Sequence, residues 1–339
     1  MTEMKLPASH PNIKQGKIGV LLINLGTPDG TDYWSMRRYL SEFLSDPRVI
    51  EVPQFIWQLI LQGPILTFRP SKSGHAYQQV WTEDGSPLLH FTKLQAEKLN
   101  ARMGNDGLII DFAMNYGNPS IKSKIDALKD QGCTRILTIP LYPQYSATTT
   151  ASVNDRTFKA LMKLRWQPAL RTAPAFHDDP AYIDALCTSL SDSLAKLDFT
   201  PDVLLMSYHG IPKSYFDKGD PYHCHCHKTT RLVREKMGWD ETFIRTTFQS
   251  RFGPQEWLQP YTDKTLEALP GEGVKKIAVA APAFISDCLE TLEEIAMQGK
   301  DSFIEAGGTD FAALPCLNDS KPAIDLLEIL VKRELGGWI

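Results

Sequence analysis

The chain has 339 residues, 42% of them hydrophobic, and a formal net charge of -4. That length suits two domains of ordinary size or one large α/β unit, and the balance argues against a disordered tail, a nucleic-acid footprint or a membrane span. The opening residues, MTEMKLPASHPNIKQ, have no apolar stretch behind a basic start, so no signal peptide is indicated and the cytoplasm is the expected compartment, where disulfides are rare.

In chain order, short aliphatic or β-branched runs alternate with helical patterns. KIGVLLIN reads as the first strand, with a helix from Asp32 to Leu44 behind it. Phe55 to Phe68, FIWQLILQGPILTF, is apolar but broken by Gln58, Gln62 and Gly63-Pro64, and is shorter than the ~20 residues that cross a bilayer. It reads as a buried or lip-forming helix whose greasy side could rest on a membrane surface or an apolar substrate. FRPSKSGHAY carries too many breakers for a helix and reads as a loop. A helix from Leu88 to Arg102, the strand GLIIDFAM, a helix from Ser120 to Asp130, the strand TRILTIP and a helix from Thr148 to Leu164 complete a first half.

Trp166 to Asp179 is the expected boundary. Beyond it the alternation resumes with a helix from Tyr182 to Leu197, the strand DVLLMSYH, a helix from Thr229 to Met237, the strand TFIRTTF, a helix from Thr262 to Leu269 and the strand KKIAVAAPAF. Helices from Leu289 to Ala306 and from Pro322 to Leu335 end the chain. This is the pattern of parallel sheets with crossover helices, an α/β class with two similar doubly wound halves. The expected units are 1–165, 166–320 and a C-terminal helix in 321–339.

In such sheets ligands bind beyond the carboxyl ends of the strands, so the polar residues there carry the functional expectation. DVLLMSYH delivers Ser207, Tyr208 and His209 before Gly210-Ile211-Pro212 stops the strand. A neutral imidazole there could bind a divalent metal or accept a proton; equally, it could pack at the sheet edge. After KKIAVAAPAF come Asp287, Glu290 and Glu294. Asp287 and Glu290 fit a capping box, and Glu290 and Glu294, one turn apart, fit an acidic row that guides a cation or simply a solvated face. Arg69 and Lys72 could clasp carboxylates or be ordinary surface cations. Trp257 sits in a Gly-Pro loop where a large aromatic is either core or a face for a flat ligand.

PYHCHCHK, Pro221 to Lys228, has ligand types suited to zinc, copper or iron. In an extended segment, either His223, His225 and His227 or Cys224 and Cys226 would face one way, and neither set closes a four-ligand site. The six cysteines, Cys133, Cys187, Cys224, Cys226, Cys288 and Cys316, follow no disulfide or Cys-x-x-Cys ribbon spacing. Gly26 in NLGTPDG and Gly117 in NYGNPS match no phosphate-loop pattern.

Taken together, LLINLGTPDG, YLSEFLSDPRVIEVP, LYPQYSATTTAS, SYHGIP with KGDPY, TFQSRFGPQEWLQPYTD and AFISDCLETLEEI resemble the ferrochelatases, of the Gram-negative bacterial type, from about Lys17 to about Asn318. The resemblance implies the class II chelatase fold of two Rossmann-like domains with the cleft between them, and insertion of Fe²⁺ into protoporphyrin IX by a lyase. It places the family histidine on His209 and the glutamate on Glu290, with Asp287 and Glu294 as relay. Carboxylate-binding groups fall on Arg69 and Lys72, pocket residues on Tyr77 and Ser86, and the wall tryptophan on Trp257. Leu25 stands where a tyrosine marks the branch that acts on coproporphyrin, and so implies protoporphyrin.

Three positions depart from family members: Asn115 where arginine is common, Cys288 where animal enzymes have histidine, and Ala147 where they have an internal cluster-binding cysteine. With no cysteine-rich tail after Trp338-Ile339, no [2Fe–2S] cluster of the animal type and no tightly bound cofactor are expected. Iron is expected as a substrate and nucleic acid is not expected as a partner; a monomer or a homodimer in the cytoplasm is expected, peripheral to the inner membrane if the lip touches lipid.

Overall fold

The computed structural model describes residues 16–339; the N-terminal stretch read for a signal peptide lies outside the described residues. The first half runs β1 (Lys17–Thr27), α1 (Tyr33–Leu44), α2 (Gln54–Ile60), α3 (Leu66–Val80), α4 (Pro87–Met103), β2 (Leu108–Gly117), α5 (Ile121–Asp130), β3 (Cys133–Pro140), α6 (Ser152–Leu161) and β4 (Ala169–Thr172). The second runs α7 (Pro180–Leu194), β5 (Val203–His209), α8 (Lys213–Asp217), α9 (Tyr222–Met237), β6 (Ile244–Gln249), α10 (Thr262–Ala268), β7 (Lys276–Ala280), α11 (Lys300–Glu305), β8 (Asp310–Ala313) and α12 (Lys321–Glu334).

The strands form two four-stranded sheets, in the orders β2-β1-β3-β4 and β6-β5-β7-β8. Every pairing within them is parallel. The same order in both halves is the two-domain α/β architecture expected.

Each central strand is apolar on both faces because helices cover both. Ile18, Val20 and Leu22 of β1 pack against α4 and α12, while Leu21 and Ile23 face Ile125, Leu128 and Val153. In β5, Leu204, Met206 and Tyr208 face α7 and α9, and Val203 and Leu205 face Leu266, Leu269 and Phe303. This two-sided burial is why such strands read as continuous hydrophobic runs rather than alternating ones.

Helix α12 is not an appendage. Ala323, Leu326 and Leu330 join the core of the second half, and Ile324, Leu327, Val331 and Leu335 join that of the first. Two apolar stripes on one helix thus tie the halves together.

Four expectations change. Strands β4 and β8, four residues each, are additional to the expected strands, and β4 pairs with β3, so the first sheet extends past the expected limit at residue 165. Arg69 and Lys72 lie on helix α3, not in a loop. Pro70 is tolerated there because the Leu66 carbonyl, which its missing N–H would have engaged, accepts instead from Tyr33 Oη at 2.9 Å and Arg37 at 2.6 Å. Gly74 belongs in the helix because a Cβ would meet the Thr31 carbonyl at 2.5 Å.

The HCHCH run, too, is helical. The Asp220 carboxylate accepts the Tyr222 N–H at 3.0 Å, and α9 starts there, seven residues before the expected Thr229. Finally, Glu290–Gly299 winds as a π-helix rather than an α-helix, a form that recurs at functional sites.

Gly26 and Gly117 need their flexibility for packing. Both have positive φ, 109° and 82°, and a Cβ on Gly26 would sit 1.8 Å from the Tyr116 carbonyl.

Candidate active site

The carboxyl ends of β1 and β5 open onto a cavity of about 440 Å³. Leu25 from β1, Arg69 from α3, His209 from β5, Trp257 from the loop after β6, and Glu290 and Glu294 from the π-helix all line it. Residues separated by up to 269 positions (25 to 294) therefore line one cavity.

His209 is half-buried, and its Nδ1 lies 2.6 Å from the Gly210 carbonyl. A carbonyl can only accept, so Nδ1 carries a proton and, in the neutral ring, Nε2 is the nitrogen with the lone pair. Gly210 has no side chain for good reason: a Cβ would lie 2.9 Å from the Gln249 carbonyl and 3.3 Å from the Trp257 ring. Trp257 is buried, and its Nε1–H donates to the Phe252 carbonyl at 3.0 Å, which fixes the indole as a wall.

The acidic row is held from beneath by residues that sequence reasoning missed. Gln249, at the end of β6, donates to the Glu290 carbonyl at 2.9 Å, and its own Oε1 accepts from Ser207 at 2.7 Å. Ser250 has a left-handed φ of 66°, uncommon for a residue with a side chain. That conformation points its N–H at Glu294 Oε1, 2.7 Å away, while its hydroxyl donates to Oε2. Burial raises the Glu294 carboxyl above the ordinary range and Glu290 adds to this, against the opposing pull of Ser250 and His209. The only surface signal for Ser250 was its place directly after a strand end.

Asp287 does not form a capping box with Glu290. Buried beside the cavity, its carboxylate accepts from Thr291 Oγ1 at 2.8 Å and from Asn318 Nδ2 at 2.6 Å, and its N–H donates to Asn318 Oδ1 at 2.8 Å. Gln95, on α4 of the other half, donates to the Asn318 carbonyl at 2.6 Å and to Ser286 at 3.0 Å. The expected relay residue is thus the centre of a clasp that holds the Glu290 loop. Cys288 lines the cavity between them, and burial, then the Glu290 charge, push its thiol up, so it remains protonated.

The remaining expected positions divide. Tyr77 is buried beneath the lip beside Tyr39, rings 6.5 Å apart, and Ser86 is a buried residue preceding α4. Neither forms part of the cavity lining, nor does Lys72, which is exposed on α3. Asn115 faces a separate, shallower cleft of about 890 Å³ on the first half and donates to Ser152 at 2.9 Å. Phe55, Leu59 and Phe68, 75%, 76% and 75% exposed, make the apolar lip.

The fold is similar to that of solved chelatases. SirB from Bacillus subtilis with Fe³⁺ superposes with a TM-score of 0.56, covering 94% of this chain and 95% of that one at 11% identity. The sirohydrochlorin chelatase SirB from Bacillus subtilis subspecies spizizenii in complex with cobalt gives 0.57, over 95% and 96%, at 9% identity. The fold is that of the two-domain, Rossmann-like chelatases.

Sequence narrows the class further. The ferrochelatase family model matches residues 17–335. The ferrochelatase of Agrobacterium fabrum (strain C58) is 58% identical over 98% of both chains, and that of Rhizobium meliloti (strain 1021) is 58% identical over 99% of this chain and 100% of its own. The chain belongs to the ferrochelatase family, a family of lyases.

Proposed function

We infer that this chain inserts Fe²⁺ into protoporphyrin IX, releasing two protons, to form haem. The observation that carries this reading is one cavity in which apolar walls from the first half face His209, Glu290 and Glu294 from the second.

A flat macrocycle between Leu25 and Trp257 would be gripped on its faces, and distortion of the ring exposes pyrrole nitrogen lone pairs to the metal. Fe²⁺ can enter only as two pyrrole N–H protons leave, so that the porphyrin dianion balances the ion. His209 Nε2 is the base, its lone pair kept free by the Nδ1–H bond to Gly210. Glu290 meets the incoming ion. An imidazole and carboxylates hold Fe²⁺ weakly enough to surrender it to four ring nitrogens, whereas thiolates would retain it. Glu294, with its raised carboxyl, passes protons outward. Arg69 pairs with a propionate, and Leu25 suits a substrate with two propionates rather than four.

No resident cluster enters this reading. Among the described residues, no helix is long and apolar enough to cross a membrane. Phe55, Leu59 and Phe68 support peripheral contact of a cytoplasmic protein with a lipid surface, through which an apolar porphyrin could enter. Co-sedimentation with vesicles, lost on replacing the three with serine, tests the contact.

Anaerobic incubation of the purified protein with Fe²⁺ and a panel of porphyrins tests the reaction. Protoporphyrin IX should yield the haem spectrum fastest, and the absence of any enzyme-dependent rate would overturn the reading.

A further inference from the structure

Wound into the first turns of α9, the five side chains of HCHCH divide among the core, the seam and the surface. Cys226 is fully buried in the core with Tyr222 and Val233. His225 turns toward the first half: its ring stacks on His177 at 3.5 Å, and its Nδ1 accepts the Tyr145 N–H at 3.2 Å. Cys224 is exposed. His223 and His227, four residues apart on one helical face, bring their ring centroids to 4.4 Å.

This pair is braced rather than loose. Both rings lean on Phe248, at 5.8 Å and 6.0 Å, and Phe216 meets His223 edge-on at 5.3 Å. Among the described residues, none of the hydrogen bonds formed by side chains engages a ring nitrogen of either imidazole. Burial lowers the proton affinity of both rings, so near neutral pH each offers a lone pair. The cations nearby are already matched: Lys228 with Asp178, Arg231 with Glu235, Arg234 with Glu241 and Arg245 with Glu272. A dication approaching the pair therefore meets cations that already have anionic partners.

We propose that His223 and His227 form a second metal site, a two-imidazole chelate for a divalent first-row transition ion, with water filling the remaining positions. Histidines at i and i+4 are the spacing by which a helix presents two nitrogens to one zinc ion. Imidazole selects such borderline ions over Mg²⁺ or Ca²⁺, which demand oxygen. The site lies outside the cavity, yet Tyr222, the residue before His223, lines that cavity. An ion bound here would staple the first turn of α9, and with it Tyr222.

Calorimetric titration of the full-length protein with Co²⁺ tests the site without any porphyrin. In the His209→Ala/Glu290→Gln background, one Co²⁺ should still bind per chain. Adding His223→Asn should weaken that binding about a hundredfold, the loss expected when a chelate becomes a single ligand, and adding His227→Asn should do the same. Cys224→Ser should leave it intact. The melting temperature should rise with Co²⁺ concentration only where both histidines remain. Equal binding with and without the histidines would overturn the site, as would binding that depends on Cys224 instead. Circular dichroism of each metal-free variant, matching the parent, guards against loss of fold.

Discussion

The two halves share a strand order and place their central strands alike, but they end those strands differently. β1 delivers Asn24 and Leu25 to the cavity, and β5 delivers His209. The helical cover follows suit: α3 and the apolar lip belong to the first half, while the π-helix with Glu290 and Glu294 belongs to the second. On the proposed reading, one scaffold used twice largely separates two tasks that conflict in one place, with Trp257 of the second half completing the wall. Gripping an apolar disc needs a dry wall, whereas moving protons and a dication needs hydrated, ionisable groups.

The sharpest way to break this division is at His209. His209→Ala should lower kcat by about 10²–10⁴-fold, the range for loss of a positioned general base, with little change in KM for protoporphyrin. Glu290→Gln should fall at the lower end of that range, about a hundredfold, and should raise KM for Fe²⁺. Anaerobic steady-state metallation with each substrate varied in turn measures both. A large rise in porphyrin KM without loss of kcat in His209→Ala would place this residue with the walls.

Next comes the clasp that joins the halves behind Glu290. Asn318 has a φ of 50° and makes two hydrogen bonds to Asp287. Asn318→Gly keeps the backbone conformation but leaves the buried Asp287 carboxylate short of a donor, at a cost of about 1–3 kcal/mol. Asn318→Ala adds the left-handed backbone penalty, about a further 1 kcal/mol. Denaturant melts should rank wild type, Gly, Ala. Both variants should lose kcat, by up to about a hundredfold, through a displaced Glu290 loop. Porphyrin KM should stay near wild type, because the walls are untouched. Unchanged kcat in Asn318→Gly would reduce the clasp to a stability feature.

The ends of β1 and β5 were legible because an apolar run that stops in polar residues marks a strand's carboxyl end, and the crossover pattern puts those ends together. Helix α3 was not. Its Pro70 reads as a breaker until Tyr33 and Arg37, distant in sequence, are seen to occupy the Leu66 carbonyl. Likewise, Asp287 fits a capping box locally, but its partners are Asn318, 31 residues on, and through it Gln95, 223 residues back from Asn318. Strands β4 and β8 are short, and mostly half-exposed, so no hydrophobic run announced them. For HCHCH, the residue types were legible and their directions were not. A helix instead of an extended segment turns a row of three histidines into one pair and one outlier.

That outlier sits in the seam between the halves, where pH should loosen their contact. His177, in the loop after β4, stacks on His225, and its imidazole is lowered to about 4 from 6.5, by burial first and then by the His225 ring, with Asp178 opposing and Lys228 assisting. Since the folded value lies below the unfolded one, the unfolded chain binds the proton first as pH falls. Stability is therefore full above 6.5 and is lost progressively toward 4. The melting temperature should drop between about pH 7.5 and pH 5, and His177→Gln should flatten that slope. An identical slope in the variant would remove His177 from the account.

The smallest effect expected is at the rim of the gripping half, where Arg69 and Lys72 stand three residues apart on α3. Arg69 lines the cavity with its guanidinium 5.5 Å over Phe252, so a propionate there meets an oriented donor fork. Both residues are exposed, but Lys72 stands outside the lining, where an ion pair is worth about 0–1 kcal/mol. Arg69→Ala should raise porphyrin KM about tenfold, the loss of one charged hydrogen bond, and Lys72→Ala less than about fivefold. On the proposed reading neither should alter kcat, because both stand on α3, away from His209 and Glu290. Comparing the two with a porphyrin whose propionates are esterified separates charge from packing. The Arg69→Ala penalty should vanish with the ester, and its persistence would show that the side chain acts through its contact with Phe252 instead.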